Sequence, residues 1–224
     1  LPAEKKKYYA TSPFLRQGDV AYETILYFCN MPTHRTIPYN HGVFSITFTC
    51  AGWLPLIEIV SGYDLVYNWF DVLKAQGHKI IGYVIMPNHV HAMIAFVQND
   101  TSINTIIGNG KRFMAYAILE RLDKMGAVDT LVQLAKRVEP GRLPKNKKHD
   151  VWELSFDWKL CTTETFIKQK LDYYHKNPCS GKWLLAASPV DYVQSSAYFY
   201  YTGIQGIYPV MNYREMVDMV FQKE

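Results

Sequence analysis

Cysteine is scarce in this chain, with four in 224 residues: Cys29, Cys50, Cys161 and Cys179. No two sit at the short spacing of a zinc site, and they are too sparse for a disulfide framework. They read as reduced thiols, which fits a cytoplasmic protein. Long hydrophobic runs are missing too. No stretch approaches the roughly 20 apolar residues that span a bilayer, so no membrane partner is expected. The first residues, Leu1-Pro2-Ala3-Glu4-Lys5-Lys6-Lys7, carry a charge cluster with no apolar stretch behind it, unlike a secretory leader. No internal repeat or low-complexity tract stands out. Charge of one sign is also in short supply: the net charge is only +4, too little by itself to argue for nucleic acid.

Apolar residues make up 49% of the chain, enough for a real core. Aromatic residues reach 15%, and the seventeen tyrosines offer stacking surfaces beyond those that packing consumes. The basic residues are unevenly placed. They gather at Lys111-Arg112, at Lys136-Arg137, and in the run from Arg142 to Lys148. Lys111, Arg112, Arg142, Lys145, Lys147 and Lys148 are therefore the candidates for phosphate contacts, which would make binding salt-dependent. A solvated helix face and a soluble loop are the plain alternatives.

Residues 1–41 lack periodicity and read as an N-terminal arm, with one short helix expected around residues 22–29. The main domain is expected over residues 42–200, with a C-terminal tail or helix over 201–224. Residues 43–49 alternate and are rich in β-formers, which predicts a strand. Residues 64–75 carry Leu65, Trp69, Val72 and Leu73 at helical spacing, with Gly77 as a stop. Strands are predicted over 79–86 and 89–97, joined by the Pro87-Asn88 turn as an antiparallel hairpin. A helix is expected over 101–126, a basic loop over 138–150, and a fourth strand over 151–161. That strand alternates Trp152, Leu154, Phe156, Trp158 and Leu160. A last helix should start at Thr162 or Thr163, run to about His175 and close at Asn177-Pro178. This β-α-β-β-α-β order predicts an α+β, ferredoxin-like antiparallel sheet with helices on one face.

The richest chemistry lies in Met86-Pro87-Asn88-His89-Val90-His91. Residues i and i+2 of a strand share a face, so His89 and His91 would project together. Two imidazoles so held can be two ligands of a metal, or two unremarkable half-buried histidines; the pair alone does not decide. The final helix holds Tyr173 and Asn177, four apart and so stacked on one face. If that helix crosses the open face of the sheet, Tyr173 can approach a metal on the histidines and Asn177 can add an oxygen ligand. Such a set suits phosphoryl transfer, because a tyrosine hydroxyl needs help as a nucleophile at neutral pH. Mg2+ and Mn2+ both remain open.

Several segments of the chain resemble one family. Met86-Pro87-Asn88-His89-Val90-His91 resembles the HUH motif of single-tyrosine transposases of small bacterial insertion sequences. Tyr173-Tyr174-His175-Lys176-Asn177-Pro178 is similar to their Tyr-Ile-His-X-Asn-Pro segment. Asp191-Tyr192 followed by Ser195-Ser196-Ala197, and His149-Asp150-Val151-Trp152-Glu153, resemble further segments of the branch called REP-associated tyrosine transposases. The resemblance covers about residues 42–200. It implies a metal-dependent enzyme that nicks and joins single-stranded DNA, often at a hairpin, through a phosphotyrosine bond. It implies His89, His91 and Asn177 as metal ligands and Tyr173 as nucleophile, in a monomer or a homodimer. The chain departs from the pattern at Tyr174, where the family has Ile, and over residues 179–184. Tyr174 thus competes with Tyr173, but it lies about 100° around the helix and has no amide four residues on. Two other readings stay open: a host-adopted, non-catalytic hairpin-binding protein, and a replication initiator or relaxase on the same fold.

Overall fold

A computed structural model describes residues 36–138, 149–181 and 183–216. The expected helix at residues 22–29 and the basic loop with Arg142, Lys145, Lys147 and Lys148 lie outside the described residues.

Four strands form one antiparallel sheet: β1 (Gly42–Thr49), β2 (Lys79–Met86), β3 (His89–Phe96) and β4 (Asp157–Leu160), in the order β2-β3-β1-β4. The helices are α1 (Leu56–Ile59), α2 (Tyr63–Ala75), α3 (Ile103–Lys124), α4 (Val128–Lys136), α5 (Glu164–Lys176) and α6 (Ala197–Thr202). This is the expected ferredoxin-like plan. Its central strand β3 pairs with β2 and β1, placing Met86 and Thr49 beside His89, and Val84 and Thr47 beside His91.

Alternation assigns the two faces of the sheet to two cores. Phe44, Ile46 and Phe48 of β1 and Val90, Ala92, Ile94 and Phe96 of β3 meet Trp69, Phe70 and Leu73 of α2 and Ile107, Met114 and Ile118 of α3. On the other face Val43, Val84, Met86, Met93 and Ala95 meet Ile167, Leu171 and Tyr174 of α5. So α2 and α3 cover one face, and α5 lies across the face that bears the histidines. Thr163 caps α5 as expected, its hydroxyl accepting the Phe166 N–H at 3.3 Å.

Seating α5 depends on an irregularity in β2. The pairing of β2 with β3 shifts between Ile80 and Gly82, a β-bulge that turns both Ile81 and Gly82 toward α5. A Cβ on Gly82 would come within 2.3 Å of the Leu171 side chain, so only glycine lets the helix approach this closely.

The fourth strand is shorter than expected. Trp152 makes an isolated bridge with Cys50, and regular pairing begins only at Asp157, opposite Thr47. Residues 153–156 thus span what Phe48 and Thr49 span on β1. The surplus is an even number of residues, so the alternation survives the break. Trp152 and Trp158 still face the same core, as packing residues rather than stacking platforms. The backbone of the break is held by Lys111, whose Nζ donates to the carbonyls of Glu153 at 3.0 Å and Ser155 at 3.4 Å.

Helix α4, with Leu134 buried, has no counterpart in the sequence reading. Past α6 the chain folds back as far as Met216: Tyr208 and Val210 enter the first core, Tyr213 and Met216 the second. Cys50, Cys161 and Cys179 are free thiols. Among the described residues no helix is long and apolar enough to cross a membrane.

Candidate active site

His89 and His91 project from β3 on the α5 face, with ring centroids 4.8 Å apart. Each is held through Nδ1. The His91 Nδ1 lies 2.7 Å from the hydroxyl of Thr47, its cross-strand neighbour. The His89 Nδ1 lies 2.6 Å from Asn88 Oδ1. The orientation of the Asn88 amide is set independently, because its Nδ2 donates to the Trp53 carbonyl at 3.1 Å. An amide oxygen only accepts, so His89 carries its proton on Nδ1 and keeps a lone pair on Nε2. This is the outer support that a metal-ligating imidazole needs. Asn88, expected merely to serve a turn, is fully buried and aims a histidine.

Helix α5 brings the third group. The Asn177 amide nitrogen lies 3.3 Å from His89 Nε2 and 3.1 Å from His91 Nε2. Three polar groups from two elements therefore converge on one point. Turning the amide over exchanges its nitrogen for its oxygen there without moving its plane. Two imidazole nitrogens and an amide oxygen suit a borderline divalent cation such as Mn2+ and are acceptable to Mg2+. Among the described residues no group of three or more His, Cys, Asp or Glu side chains gathers to hold a metal, and here the third group is an amide. Burial, with His89 and Lys170 nearby, holds the His91 imidazole well below its usual pKa, so it is neutral, as a ligand must be.

Two tyrosines flank His91, and their surroundings differ. Tyr174 is 1% exposed, stacks on His91 with centroids 5.2 Å apart, and shares a 2.6 Å hydrogen bond with the Ser45 hydroxyl. Burial pushes its phenol far above the ordinary value. Tyr173 is 55% exposed, and its ring meets the His91 ring edge-on at 5.4 Å. It lies on the helix stripe that carries Lys170, whose Nζ is 5.9 Å from its ring centroid. Tyr174 is built into the core, whereas Tyr173 presents itself to solvent beside the histidines.

The expected four residues, His89, His91, Tyr173 and Asn177, thus assemble. Lys111 and Arg112 do not join them. Both lie on α3, in the layer behind the sheet, and Lys111 is engaged with backbone carbonyls. Arg112 is exposed, its guanidinium 5.1 Å from the Phe113 ring. His175 is 1% exposed and bonds Ser196 Oγ through Nε2 at 2.9 Å, a structural role. Ser196 in turn accepts the Tyr83 N–H at 3.0 Å, which explains why the Ser195-Ser196 pair belongs with the helix motif.

The sheet, its order and the helix across it define a ferredoxin-like α+β protein with a histidine-pair site on the sheet's second face. Its fold is similar to that of a REP-associated tyrosine transposase. A solved structure of one, bound to a REP hairpin, superposes with a TM-score of 0.53 at 15% identity, covering 81% of this chain and 93% of that one. A candidate transposase from Deinococcus radiodurans R1 aligns over 64% of this chain and 95% of its own, at 16% identity and a TM-score of 0.36. No family model matches the sequence, and no curated protein matches it.

Proposed function

We propose that this protein is a metal-dependent single-stranded DNA endonuclease and strand transferase, a transposase-type enzyme working through a 5'-phosphotyrosine intermediate. The observation that carries this reading is the convergence of His89 Nε2, His91 Nε2 and the Asn177 amide within 3.3 Å, with the exposed Tyr173 against the same His91. The hairpin bound by the structural neighbour supports folded single-stranded DNA as the substrate.

His89, His91 and Asn177 would hold a divalent Mg2+ or Mn2+. When bound, that ion supplies charge neutralisation and orientation for a phosphate oxygen. Tyr173 Oη would then attack the phosphorus and give up its proton to solvent water, which reaches the exposed side chain. The bond from phosphorus to the 3' oxygen breaks, its electron pair leaves with that oxygen, and the oxygen takes a proton. The products are a 5'-phosphotyrosine and a free 3' hydroxyl. Attack by a second 3' hydroxyl reverses the step and joins strands without an external energy source. Thr47 and Asn88 keep both imidazoles oriented, and Tyr174 packs behind His91.

The test is covalent capture. Wild-type protein incubated with single-stranded hairpin oligonucleotides and Mn2+ should gain mass as a tyrosine-linked nucleotide. Tyr173→Phe should form no adduct while still binding DNA, Tyr174→Phe should retain it, and EDTA should abolish it. An adduct that survives in Tyr173→Phe, or in EDTA, sinks the reading.

A further inference from the structure

Next to the histidines lies an aromatic surface that the cleavage chemistry leaves unused. Trp53 is 59% exposed, with its ring centroid 6.3 Å from that of His89. The other tryptophans, Trp69, Trp152, Trp158 and Trp183, are all buried or half-buried. Its backbone is left-handed, at a φ of 59°. A bulky residue rarely adopts that conformation, and it persists only where the surroundings impose it.

Here they do. Gly52 precedes it at a φ of 63°, and the Gly52 N–H donates to Glu153 Oε1 at 2.7 Å. Glu153 is held by Arg137 at 3.0 Å. The Arg137 guanidinium lies over Gly52, where an added Cβ would come within 2.9 Å of it. The Trp53 N–H returns to the Cys50 carbonyl at 3.0 Å, and the Trp53 carbonyl accepts the Asn88 amide. The turn is thus tied to α4, to the fourth-strand segment and to the residue that aims His89. An indole kept in water on an unfavourable backbone, and clamped there, contributes nothing to the core. It is a preorganised flat surface at the edge of the site.

We propose that Trp53 is a base-stacking platform, holding an unpaired nucleobase of a single strand whose neighbouring phosphate lies at His89 and His91. The ligand class follows from the surface. It is one exposed aromatic face beside the proposed phosphate site, and stacking on such a face tolerates any base. The assignment rests on the single-stranded DNA reading above.

The experiment uses the full chain in EDTA, so that binding is measured without cleavage. Wild type, Trp53→Asn and Trp53→Phe are titrated with a random-sequence single-stranded oligonucleotide and with an abasic strand of equal length. Asn is chosen because it accepts a left-handed backbone, so the variant should fold at least as stably as wild type. Trp53→Asn should bind the base-bearing strand on the order of tenfold more weakly and the abasic strand unchanged. Trp53→Phe should recover most of the loss. Indole fluorescence should be quenched by the base-bearing strand in wild type and much less in Trp53→Phe. Equal affinities for wild type and Trp53→Asn, or equal losses on both strands, overturn the proposal while covalent capture by wild type stands. No binding of any strand together with no adduct overturns the function reading, and this proposal with it.

Discussion

Asn88 Oδ1 lies 2.6 Å from His89 Nδ1, and Asn88 Nδ2 donates to the carbonyl of Trp53. One buried amide therefore sets the tautomer of a proposed ligand histidine and anchors the neighbouring turn. Replacing it with alanine should weaken Mn2+ binding by roughly 10- to 100-fold, the usual effect of losing such a support. Isothermal titration with Mn2+ checks this, and unchanged affinity would remove Asn88 from the site.

Thr47 supports the other histidine from β1, its hydroxyl 2.7 Å from His91 Nδ1. Thr47→Val keeps the shape and deletes the bond. Metal affinity should fall while Thr47→Ser retains it, and thermal unfolding should shift little, with a loss of about 1 kcal/mol.

Gly82→Ala would drive a methyl group to within 2.3 Å of Leu171 on α5. The helix or the bulge must shift, at a cost of about 1–3 kcal/mol. Because Tyr173 and Asn177 ride on the same helix, covalent capture should drop along with stability. Denaturant unfolding and the adduct assay, run on the same sample, test both.

Lys111→Met should lower stability by about 1–2 kcal/mol by leaving the Glu153 and Ser155 carbonyls without their ammonium. The salt dependence of oligonucleotide binding should not change. A shallower slope of log K against log salt would show that Lys111 neutralises a phosphate after all.

His78 is fully buried, and its Nδ1 accepts the Val97 N–H at 3.2 Å. Burial lowers its pKa below the ordinary value, so the unfolded chain takes up the proton first as pH falls. Its contribution is present above about pH 6.5 and is lost as pH drops toward the lower folded value. His175, pushed down to about 4 by burial, acts in the same direction. Stability measured from pH 7 to 5 should therefore fall, and His78→Gln should flatten the slope without abolishing it.

The hairpin of β2 and β3, helix α2, and the Thr163 cap were legible because each rests on local pattern: alternation, helical spacing, a hydroxyl three residues before an N–H. His89, His91, Tyr173 and Asn177 were legible as spacings of two and four on regular elements. What the sequence could not show is either non-local or in phase with a regular pattern. The break at residues 153–156 skips an even number of positions, so the alternation of Trp152 and Trp158 conceals it. Lys111 reads as a solvated cation until the fold brings the carbonyls of Glu153 and Ser155 to it. Thr47 and Ser45 look like ordinary strand residues until register sets them opposite His91 and beneath Tyr174. Trp53 follows a strand in a stretch with no periodicity, and its exposure, its backbone angle and its place beside His89 emerge only in the fold.

The two halves of the site also belong to parts of the molecule with unequal holding strength. His89 and His91 sit on β3, which is laddered to β2 and β1 on both edges and covered by a core on both faces. Tyr173 sits on α5 and Asn177 at its C-cap, and α5 rests on the sheet through one stripe of side chains. Backbone amides of β3 should exchange with deuterium only through global unfolding, while those of α5 should be reached through smaller openings. The histidine pair is therefore part of the chassis, and the proposed nucleophile is carried on an element that can loosen without breaking the sheet.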